Sequence, residues 1–592
     1  MIIRVVLALA LSVPPVMTPA NTGPGACPVP MPERTNCGFL EVPERRDAPE
    51  RKIEVGYAVH VSTSANRKPD PIVYMSGGPG SASMQLTGFL SQMFPDRDVV
   101  AIEQRGSRYS RPVLSCPETA QAMLGQLRQP PADIADAANR CRERLREQGV
   151  DLRGYNTKEI TADVIALREK LGYASWNLFG VSYSTRVMMD VAAADPGGVR
   201  SVVLDSYLPQ SVTWYDDADR NLSDTMAGMG VKEPFEAMVA RLNRTPARVP
   251  TTDPLLGREF TALMSGDDVA AVLMEGLQDA QLSEVTPTLV RALATGHDEL
   301  LRPLADAVGQ GLVSHEFGLY HAVQCQDEVP FNTFTPKSRF FTVNGDKAVC
   351  DAWRLPQATP VPAESAPVPT GAESAPVPTS AESAPVRAAT KAPVYVIGGE
   401  KDPTTPPRTA EPAARVIPGA RFERFPRAAH AVFLFDACAR ERIAEFVGDP
   451  AATFAKPCSH PPARGVGALH VTGRPYQISL SPWLAAPFAL FALVCLFQLV
   501  RGALKGRSLA AFGGLAGVAF CGLITESVYT LVSTNETALA VGVPALAEPY
   551  TWIAVASAVL TAAALLYDRK WPQIAATAIS GGFLVWWFTW FL

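Results

Sequence analysis

Short continuous apolar runs alternate with helical patterns over residues 27–206 and again over residues 321–460. Such runs are typical of strands buried on both faces, as in a parallel sheet covered by helices. They lie at residues 71–75, 98–103, 176–179, 200–204, 393–397 and 420–425. Alternating apolar positions at residues 42–62 predict antiparallel strands that open the sheet. The pattern therefore predicts an α/β fold with a doubly wound, mostly parallel sheet.

The pattern changes between residues 207 and 320, where helical periodicity dominates and no buried strand is evident. We interpret this segment as a helical cap inserted into the sheet domain. Residues 27–206 would then form the N-terminal part of the core and residues 321–460 its C-terminal part.

A low-complexity insert at residues 357–390 repeats the unit Ala-Glu-Ser-Ala-Pro-Val-Pro-Thr. Proline and small residues at this density cannot build a core, which favours extended chain. The insert enters the strand at residues 393–397 from the end opposite Asp402. It is therefore predicted to be a spacer away from the sheet edge at which that strand ends, with partner binding as the alternative.

Four long apolar segments end the chain at residues 482–500, 509–532, 549–567 and 572–592. Each approaches the ~20 residues that span a bilayer. Lysine and arginine occur in the first and third connecting loops but not in the second, residues 533–548, so the sheet domain is predicted to lie outside. Glu526 lies near the outer end of the second segment, where an interfacial structural role is favoured over a functional one.

Residues 1–20 carry one positive charge followed by an apolar run and small residues, the pattern of a secretory signal peptide. This predicts the same orientation from independent residues. The expected location is a bacterial-type cytoplasmic membrane, with the large domain on the periplasmic or extracellular side.

Eight of the ten cysteines fall in the exported part and group as sequence neighbours. In an oxidising compartment this spacing predicts four local disulfides, although buried free thiols are the alternative. The pairs are Cys27–Cys37, Cys116–Cys141, Cys325–Cys350 and Cys438–Cys458. No spacing typical of a metal site occurs, so no metal is expected.

The candidate chemistry centres on residues 180–184, Gly-Val-Ser-Tyr-Ser, between a predicted strand and a predicted helix. In that context Gly-x-Ser-x-Gly forms a nucleophile elbow, which makes Ser182 the candidate nucleophile. Ser184 departs from the motif, because a second glycine is usual at that position.

An acid and a base follow in the chain order expected of such hydrolases, which is serine, aspartate, histidine. Asp402 follows the strand at residues 393–397, and His430 lies in the loop after the last strand. His430 would accept the proton from Ser182, and Asp402 would orient the imidazole. Asp205, also at a strand end, is the rival acid.

Backbone N–H groups are the expected oxyanion donors. Tyr183, the residue after the nucleophile, would supply one. Gly78, in the Gly-Gly-Pro-Gly loop at residues 77–80 after an early strand, would supply the other.

Together these motifs, with Glu-Gln-Arg-Gly at residues 103–106, resemble α/β-hydrolase peptidases of the proline iminopeptidase and tripeptidyl aminopeptidase group. The resemblance covers residues 27–458, includes the cysteine pairs, and implies a serine exopeptidase that cleaves peptides from a free N-terminus. It also implies acidic cap residues that hold the substrate amine; Asp327 and Glu328 are the candidates, with a surface ion pair as the alternative. Besides Ser184, two departures are Glu103 in place of aspartate and Ser107-Arg108 in place of a glycine-containing turn.

The sequence thus predicts a membrane-tethered, extracytoplasmic serine aminopeptidase that needs no cofactor. An esterase or lipase with the same triad is one alternative, and an inactive hydrolase-fold binding module is another. The expected partners are a peptide substrate and the membrane. The net charge of −5 and the lack of a basic cluster exclude nucleic acid as a partner.

Overall fold

The computed structural model describes residues 27–128, 130, 133–358, 390–454, 458 and 465–592. The predicted signal peptide and most of the predicted spacer, residues 359–389, lie outside the described residues. The strands, in chain order, are β1 (Thr35–Arg45), β2 (Ala48–His60), β3 (Ile72–Met75), β4 (Val99–Ile102), β5 (Trp176–Val181), β6 (Val199–Asp205), β7 (Ala247–Thr252), β8 (Glu259–Met264), β9 (Val394–Gly399), β10 (Arg421–Phe425), β11 (Leu469–Val471) and β12 (Gly542–Pro544).

The α-helices of the described residues cover the sheet, build the cap and form the C-terminal region. They are α1 (Thr87–Met93), α2 (Pro117–Arg128), α3 (Ile134–Glu147), α4 (Thr157–Leu171), α5 (Ser184–Ala194), α6 (Trp214–Gly228), α7 (Lys232–Arg244), α8 (Gly266–Gly276), α9 (Ala280–Ala294), α10 (Leu301–Ser314), α11 (Phe317–Asp327), α12 (Phe341–Trp353), α13 (Pro407–Arg415), α14 (Val432–Phe435), α15 (Ala437–Gly448), α16 (Arg474–Leu480), α17 (Ala486–Leu504), α18 (Ser508–Thr534), α19 (Ala547–Ala563) and α20 (Trp571–Trp586).

An eight-stranded sheet forms the centre of the large domain, with the strand order β1-β2-β4-β3-β5-β6-β9-β10. β1 pairs antiparallel with β2, and β2 pairs antiparallel with β4. The remaining strands, in the order β4, β3, β5, β6, β9 and β10, are parallel to one another. Every residue of β3, β4, β5 and β9 is buried, which explains their continuous apolar sequences. The predicted α/β class and mostly parallel sheet are confirmed.

The parallel strands bring the candidate residues to one edge of the sheet. Gly78 follows β3, Ser182 follows β5, Asp205 ends β6 and Asp402 follows β9. His430 lies after β10, the edge strand beside β9. Since parallel strands share one direction, the loops after their carboxyl ends meet there, as in other doubly wound folds.

The cap has its own hydrophobic core, built from helices α6 to α10 together with an antiparallel hairpin, β7–β8. The hairpin is a difference from the helical cap expected from sequence. Buried and exposed residues alternate along β7, with Val249 and Thr251 facing the cap core. The strand is short and contains Pro250, so its alternation is a weak signal in the sequence.

All four predicted cysteine pairs are disulfide-bonded in the structure. The bond Cys325–Cys350 joins α11 to α12. Cys495 and Cys521 remain free and buried among the C-terminal helices. The pairing supports an oxidising environment for the large domain.

Four C-terminal helical segments are long and apolar enough to cross a membrane: Pro482–Leu504, Ser508–Thr534, Ala547–Leu566 and Trp571–Phe591. Close packing within this bundle uses small residues. A Cβ atom at Gly517 would lie 2.8 Å from the Oγ of Ser557 and 2.8 Å from the Cβ of Cys495.

The two ends of the helical bundle differ in charge and in contacts. At one end, Arg501 and Arg507 form ion pairs with Asp568. At the other end, Asn535 donates hydrogen bonds of 2.8 Å and 3.0 Å to the carbonyl of Gln281 and the carboxylate of Glu284 in the cap. The large domain therefore lies at the end of the bundle opposite the basic loops, and the side of the membrane that it faces stays a prediction.

Candidate active site

The backbone at Ser182 has a positive φ of 58° between β5 and α5. A non-glycine residue rarely adopts this conformation, and it is the strained turn of a nucleophile elbow. Gly180 allows the turn, because a Cβ there would lie 2.8 Å from the carbonyl oxygen of Ser184 and 2.9 Å from Met188. The turn therefore places the Ser182 side chain above the sheet edge.

Ser184, the departure from the usual glycine, is fully buried and hydrogen-bonded within the elbow. Its hydroxyl donates to the carbonyl of Met75 at 2.6 Å and accepts from the Val181 N–H at 2.8 Å. The serine thus links β3 to β5 beneath the candidate nucleophile. Its small side chain fits, and its polar atom is satisfied.

Asp402 and His430 are in direct contact. The Oδ2 atom of Asp402 lies 2.8 Å from Nδ1 of His430. Thr405 donates its hydroxyl to Oδ2 of Asp402 at 2.6 Å, and the backbone N–H groups of Thr404 and Thr405 donate to Oδ1. The carboxylate is therefore fixed on both oxygen atoms.

The electrostatics of this pair favour its charged form. Burial alone would raise the pKa of the Asp402 carboxyl, but the charge and hydrogen bond of His430, with the bonds from Thr405, lower it. Burial likewise opposes protonation of His430, but the Asp402 charge and hydrogen bond raise its pKa above the ordinary value. The pair is arranged to stabilise an imidazolium.

Asp205, the rival acid, has different partners. Its two carboxylate oxygens accept from the backbone N–H groups of Val432 and Phe433, at 3.0 Å and 2.8 Å. Burial raises the pKa of Asp205 to about 6. Asp205 therefore holds the segment just after His430, whereas Asp402 contacts the imidazole itself.

The candidate oxyanion loop lies against the nucleophile. A Cβ atom at Gly77 would lie 2.7 Å from the Cβ of Ser182, so only glycine allows this approach. Gly78 has a φ of 108°, which favours glycine there as well. Among the described residues, the N–H groups of Gly78 and Tyr183 have no protein acceptor. They are free to donate to a substrate oxygen.

Gln104, to which the sequence analysis assigned no role, fixes the shape of this loop. Its amide nitrogen donates to the carbonyls of Ser76 and Gly77 at 2.9 Å and 2.8 Å, and its oxygen accepts from the Gly80 N–H at 3.0 Å. Its place in the Glu-Gln-Arg-Gly motif was the only available signal. Neighbouring Glu103 accepts from two further N–H groups of the segment, and burial raises its pKa to about 7.

Backbone hydrogen bonds attach Ser182 and the residue after His430 to neighbouring positions at the end of β6, and among the described residues no hydrogen bond joins the side chains of Ser182 and His430. The Ser182 N–H donates to the Asp205 carbonyl at 3.0 Å, and Ala431 N–H donates to the Ser206 hydroxyl at 2.9 Å. Nucleophile and base are thus both attached to the end of β6. Contacts of this kind are often loose without substrate and tighten when it binds.

Comparison with known families agrees with this geometry. A family model of the alpha/beta hydrolase fold matches residues 70–437, more than half of the chain. The chain belongs to the alpha/beta hydrolase fold family. The match begins just before β3 and ends just after the His430 loop, so it includes the cap and every residue of the candidate triad.

Named relatives of this hydrolase are peptidases. Serine protease Hip1 of Mycobacterium tuberculosis is 28% identical over 186 residues, which cover 28% of this chain and 35% of the relative. Proline iminopeptidase of Neisseria meningitidis is 25% identical over 167 residues, covering 27% and 41%. The matches therefore span well under half of either relative. A crystal structure of a proline iminopeptidase from Mycobacterium smegmatis aligns with 69% of this chain and 98% of its own, at 16% identity and a TM-score of 0.35.

The two predicted amine-binding residues of the hydrolase are already engaged with other protein groups. The Glu328 carboxylate forms an ion pair with Arg186, and both side chains are almost fully buried. Asp327 accepts from the N–H and hydroxyl of Thr157, at 2.6 Å and 2.7 Å. The alternative of a surface ion pair is wrong for Glu328, because the pair is enclosed between α5 and the end of α11. Glu328 has no uncompensated charge to offer a substrate amine.

Glu275, on cap helix α8, is an exposed acidic residue that was not among the residues predicted from sequence. It lines a cavity beneath the cap together with Tyr320 and Asp346. Burial raises the pKa of Glu275, Asp346 raises it further, and the charge of His430 lowers it. Its position at the end of a cap helix, far along the chain from the triad motifs, offered no sequence signal.

Proposed function

We propose that this protein is a membrane-tethered serine hydrolase that acts as an aminopeptidase through an acyl-enzyme on Ser182. The observation that carries the proposal is the contact between Asp402 and His430 beside a positive-φ serine. Membership of the alpha/beta hydrolase family and the names of the relatives support a hydrolase with peptidase chemistry.

In the proposed mechanism, His430 removes the proton from the Ser182 hydroxyl as the oxygen attacks the substrate carbonyl. Asp402 orients the ring and stabilises the imidazolium that forms. The N–H groups of Gly78 and Tyr183 bind the developing oxyanion, an effect worth roughly 10²- to 10³-fold in rate for a single donor. His430 then protonates the leaving amine, and water hydrolyses the acyl-enzyme by the same steps.

Glu275 takes the amine-binding role in this proposal because Arg186 neutralises Glu328, and the assignment of Asp327 stays a prediction from sequence. The Glu275 side chain is accessible from the cavity beneath the cap, and it carries no ion pair in the described residues. A protonated N-terminus in this cavity would meet the exposed carboxylate of Glu275 and pair with it there. We include Glu275 in the proposal as the group that recognises the free amine.

The four disulfides and the helical bundle support a placement of the domain on the oxidising side of a membrane. We propose that the bundle anchors the protein in a cytoplasmic membrane with the catalytic domain on the outer side. The basic loops at the far end of the bundle support that orientation.

Variant Ser182→Ala tests the chemistry directly in the full-length protein. We expect loss of fluorophosphonate labelling and at least a 10³-fold loss of aminoacyl-nitroanilide hydrolysis, the scale of a lost nucleophile. Ser64→Ala is the matched control, because Ser64 lies in a loop at the opposite edge of the sheet. Labelling that persists in Ser182→Ala would reject the assignment.

The same preparation separates peptidase from esterase. An aminopeptidase hydrolyses the free-amine nitroanilide and not its N-acetylated form, and Glu275→Gln should weaken only the former. Rapid hydrolysis of acyl-nitrophenyl esters without any hydrolysis of nitroanilides would instead show an esterase.

A further inference from the structure

A large cavity lies where the catalytic domain meets the helical bundle. Its volume is about 1020 Å³, at the upper end of the ~300–1,000 Å³ common for small-ligand pockets. Phe488, Ile524, Val528 and Trp587, from three of the membrane-type segments, contribute to its wall. These residues lie at the ends of the segments nearest the catalytic domain, so the cavity is at the level of the outer leaflet in the proposed orientation.

The cap forms the other wall. Pro303 and Ala307 of α10 line the cavity, as does Asp306, which accepts a hydrogen bond of 2.7 Å from the Tyr476 hydroxyl on α16. The loop between the second and third segments, which closes the cavity, shares the cap's hydrophobic core through Ala538 and Val541. The cavity is therefore built jointly by the cap and the bundle and exists only when both are present.

This cavity adjoins the smaller one beneath the cap, whose volume is about 460 Å³. Five residues line both: Asp279, Pro303, Ala307, Thr537 and Ala540. The smaller cavity reaches Glu275, which interacts electrostatically with His430. From the bundle side, the larger cavity also reaches Phe435, at the end of the helix that follows the His430 loop. The two cavities together lead from the ends of the membrane segments toward the catalytic centre.

The charged residues that line the two cavities restrict the chemical class of ligand that can bind there. Carboxylates line the larger cavity at Asp279, Asp306, Glu526 and Glu536, and no lysine or arginine lines either cavity in the described part of the chain. His315 is the one basic side chain among the lining residues, and burial lowers its pKa to about 4, so it is neutral near pH 7. An anionic lipid headgroup or a free C-terminal carboxylate would find no cationic partner here, whereas an apolar chain would be well accommodated.

We propose that the joint cavity binds the apolar part of a peptide substrate held in the membrane, and that this substrate reaches Ser182 through the cavity beneath the cap. This inference rests on the proposed peptidase function and specifies its substrate class: peptides with a free N-terminus and a long apolar segment that lacks anionic groups. The helical bundle is then part of the substrate site as well as an anchor.

The proposal is tested by binding, which does not require catalysis. Full-length Ser182→Ala protein in detergent is titrated with fluorescent tripeptides whose C-terminal amide carries an alkyl chain of two, eight or sixteen carbons. We expect the dissociation constant to fall at least tenfold from two to eight carbons. An eight-carbon chain ending in a carboxylate should lose that gain.

Ala307→Trp, made in the Ser182→Ala background, fills the passage between the two cavities. We expect it to abolish the dependence on chain length and leave binding of the two-carbon peptide within twofold. Ala240→Trp is the matched control, because Ala240 is exposed on cap helix α7 and lines neither cavity. If Ala307→Trp misfolds, Ala307→Cys modified after folding with an octyl or a methyl thiosulfonate gives the same comparison, since Cys495 and Cys521 are buried.

Three results would overturn the proposal. One is affinity that does not depend on chain length, and a second is an equal effect of Ala307→Trp and Ala240→Trp. The third is stronger competition by dioctanoyl phosphatidylglycerol than by the eight-carbon peptide, which would indicate a lipid site. A failure of the proposed function is distinguishable, because it appears as absent fluorophosphonate labelling of Ser182 in the wild-type protein, whatever the binding data show.

Discussion

Replacing Asp402 with asparagine changes one atom of the site and reverses the hydrogen bond to His430. The Oδ1 atom accepts from the N–H groups of Thr404 and Thr405, so an asparagine would keep its oxygen there. Its NH₂ group would then replace Oδ2, which lies 2.8 Å from Nδ1 of His430. Because an NH₂ group donates, Nδ1 must become the acceptor and the ring proton must move to Nε2, the wrong tautomer for removing a proton from Ser182.

The expected loss follows from the catalytic role of that tautomer. Removing the orienting acid of such a triad while keeping its shape lowers kcat by about 10³- to 10⁴-fold, which is about 4–5.5 kcal/mol of activation free energy. The fold should be retained, because asparagine is isosteric with aspartate. The N–H groups of Thr404 and Thr405 can still donate to residue 402, and the Thr405 hydroxyl can reorient.

The pH dependence provides a second, independent measure. Activity requires neutral His430, so kcat/KM falls as pH drops through the histidine pKa. Burial lowers that pKa, and the charge and hydrogen bond of Asp402 raise it beyond the ordinary value. In Asp402→Asn the raising effect of the Asp402 charge on the pKa of His430 is lost, whereas burial still lowers that pKa. The acid limb of the kcat/KM profile should therefore move to lower pH.

The assay is the kcat/KM of aminoacyl-nitroanilide hydrolysis from pH 5 to 9, with the rate of fluorophosphonate labelling measured in parallel. Asp205→Asn is the matched control. Asp205 contacts backbone N–H groups, so its variant should lose mainly folding stability, by roughly 1.5–3 kcal/mol for bonds to a charged group, with a smaller change in kcat. An acid limb that stays in place in Asp402→Asn, or a larger kcat loss in Asp205→Asn, would refute the assignment of Asp402.

Three further changes test the surroundings of the site. Gly77→Ala would place a methyl group 2.7 Å from the Cβ of Ser182; we expect fluorophosphonate labelling to be lost while circular dichroism is unchanged. Glu328→Gln leaves the buried Arg186 without its counterion and should lower the free energy of unfolding by about 3–5 kcal/mol in denaturant titrations. A loss of substrate affinity at unchanged stability would instead favour a role of Glu328 in binding the substrate amine. Ser184→Ala leaves two buried backbone groups unpaired and should cost about 1–3 kcal/mol by the same measurement, with kcat nearly retained; unchanged stability would contradict the structure.

Local sequence signals were sufficient to predict most strands of the large sheet, the membrane-type helices and the cysteine pairs. The strands that end at Met75, Val181 and Gly399 are continuous apolar runs, because each is buried on both faces. The residues after them follow from the same signal, since parallel strands gather their carboxyl ends at one edge. The membrane-type helices and the cysteine pairs were equally accessible, because hydropathy and spacing are properties of short stretches of chain.

Contacts between residues far apart in the chain could not be predicted from such local signals. Nothing near Gln104 in sequence shows that its amide holds the loop at residues 76–80, and nothing near Glu328 shows that Arg186 neutralises it. The same holds for Glu275, a cap residue whose charge raises the pKa of His430.

Apart from the hairpin β7–β8 in the cap, the sequence by itself determined the main elements of the large domain and the bundle, their order and the chemistry carried at their ends, because each depends on periodicity and composition within a few turns of chain. Only the tertiary structure decided which carboxylate meets the imidazole, which acidic groups remain unpaired, and that the cap and the helical bundle enclose a common cavity. Those features depend on how separately formed elements pack, and packing is set by contacts between residues up to hundreds of positions apart, which leave no periodic pattern in the chain.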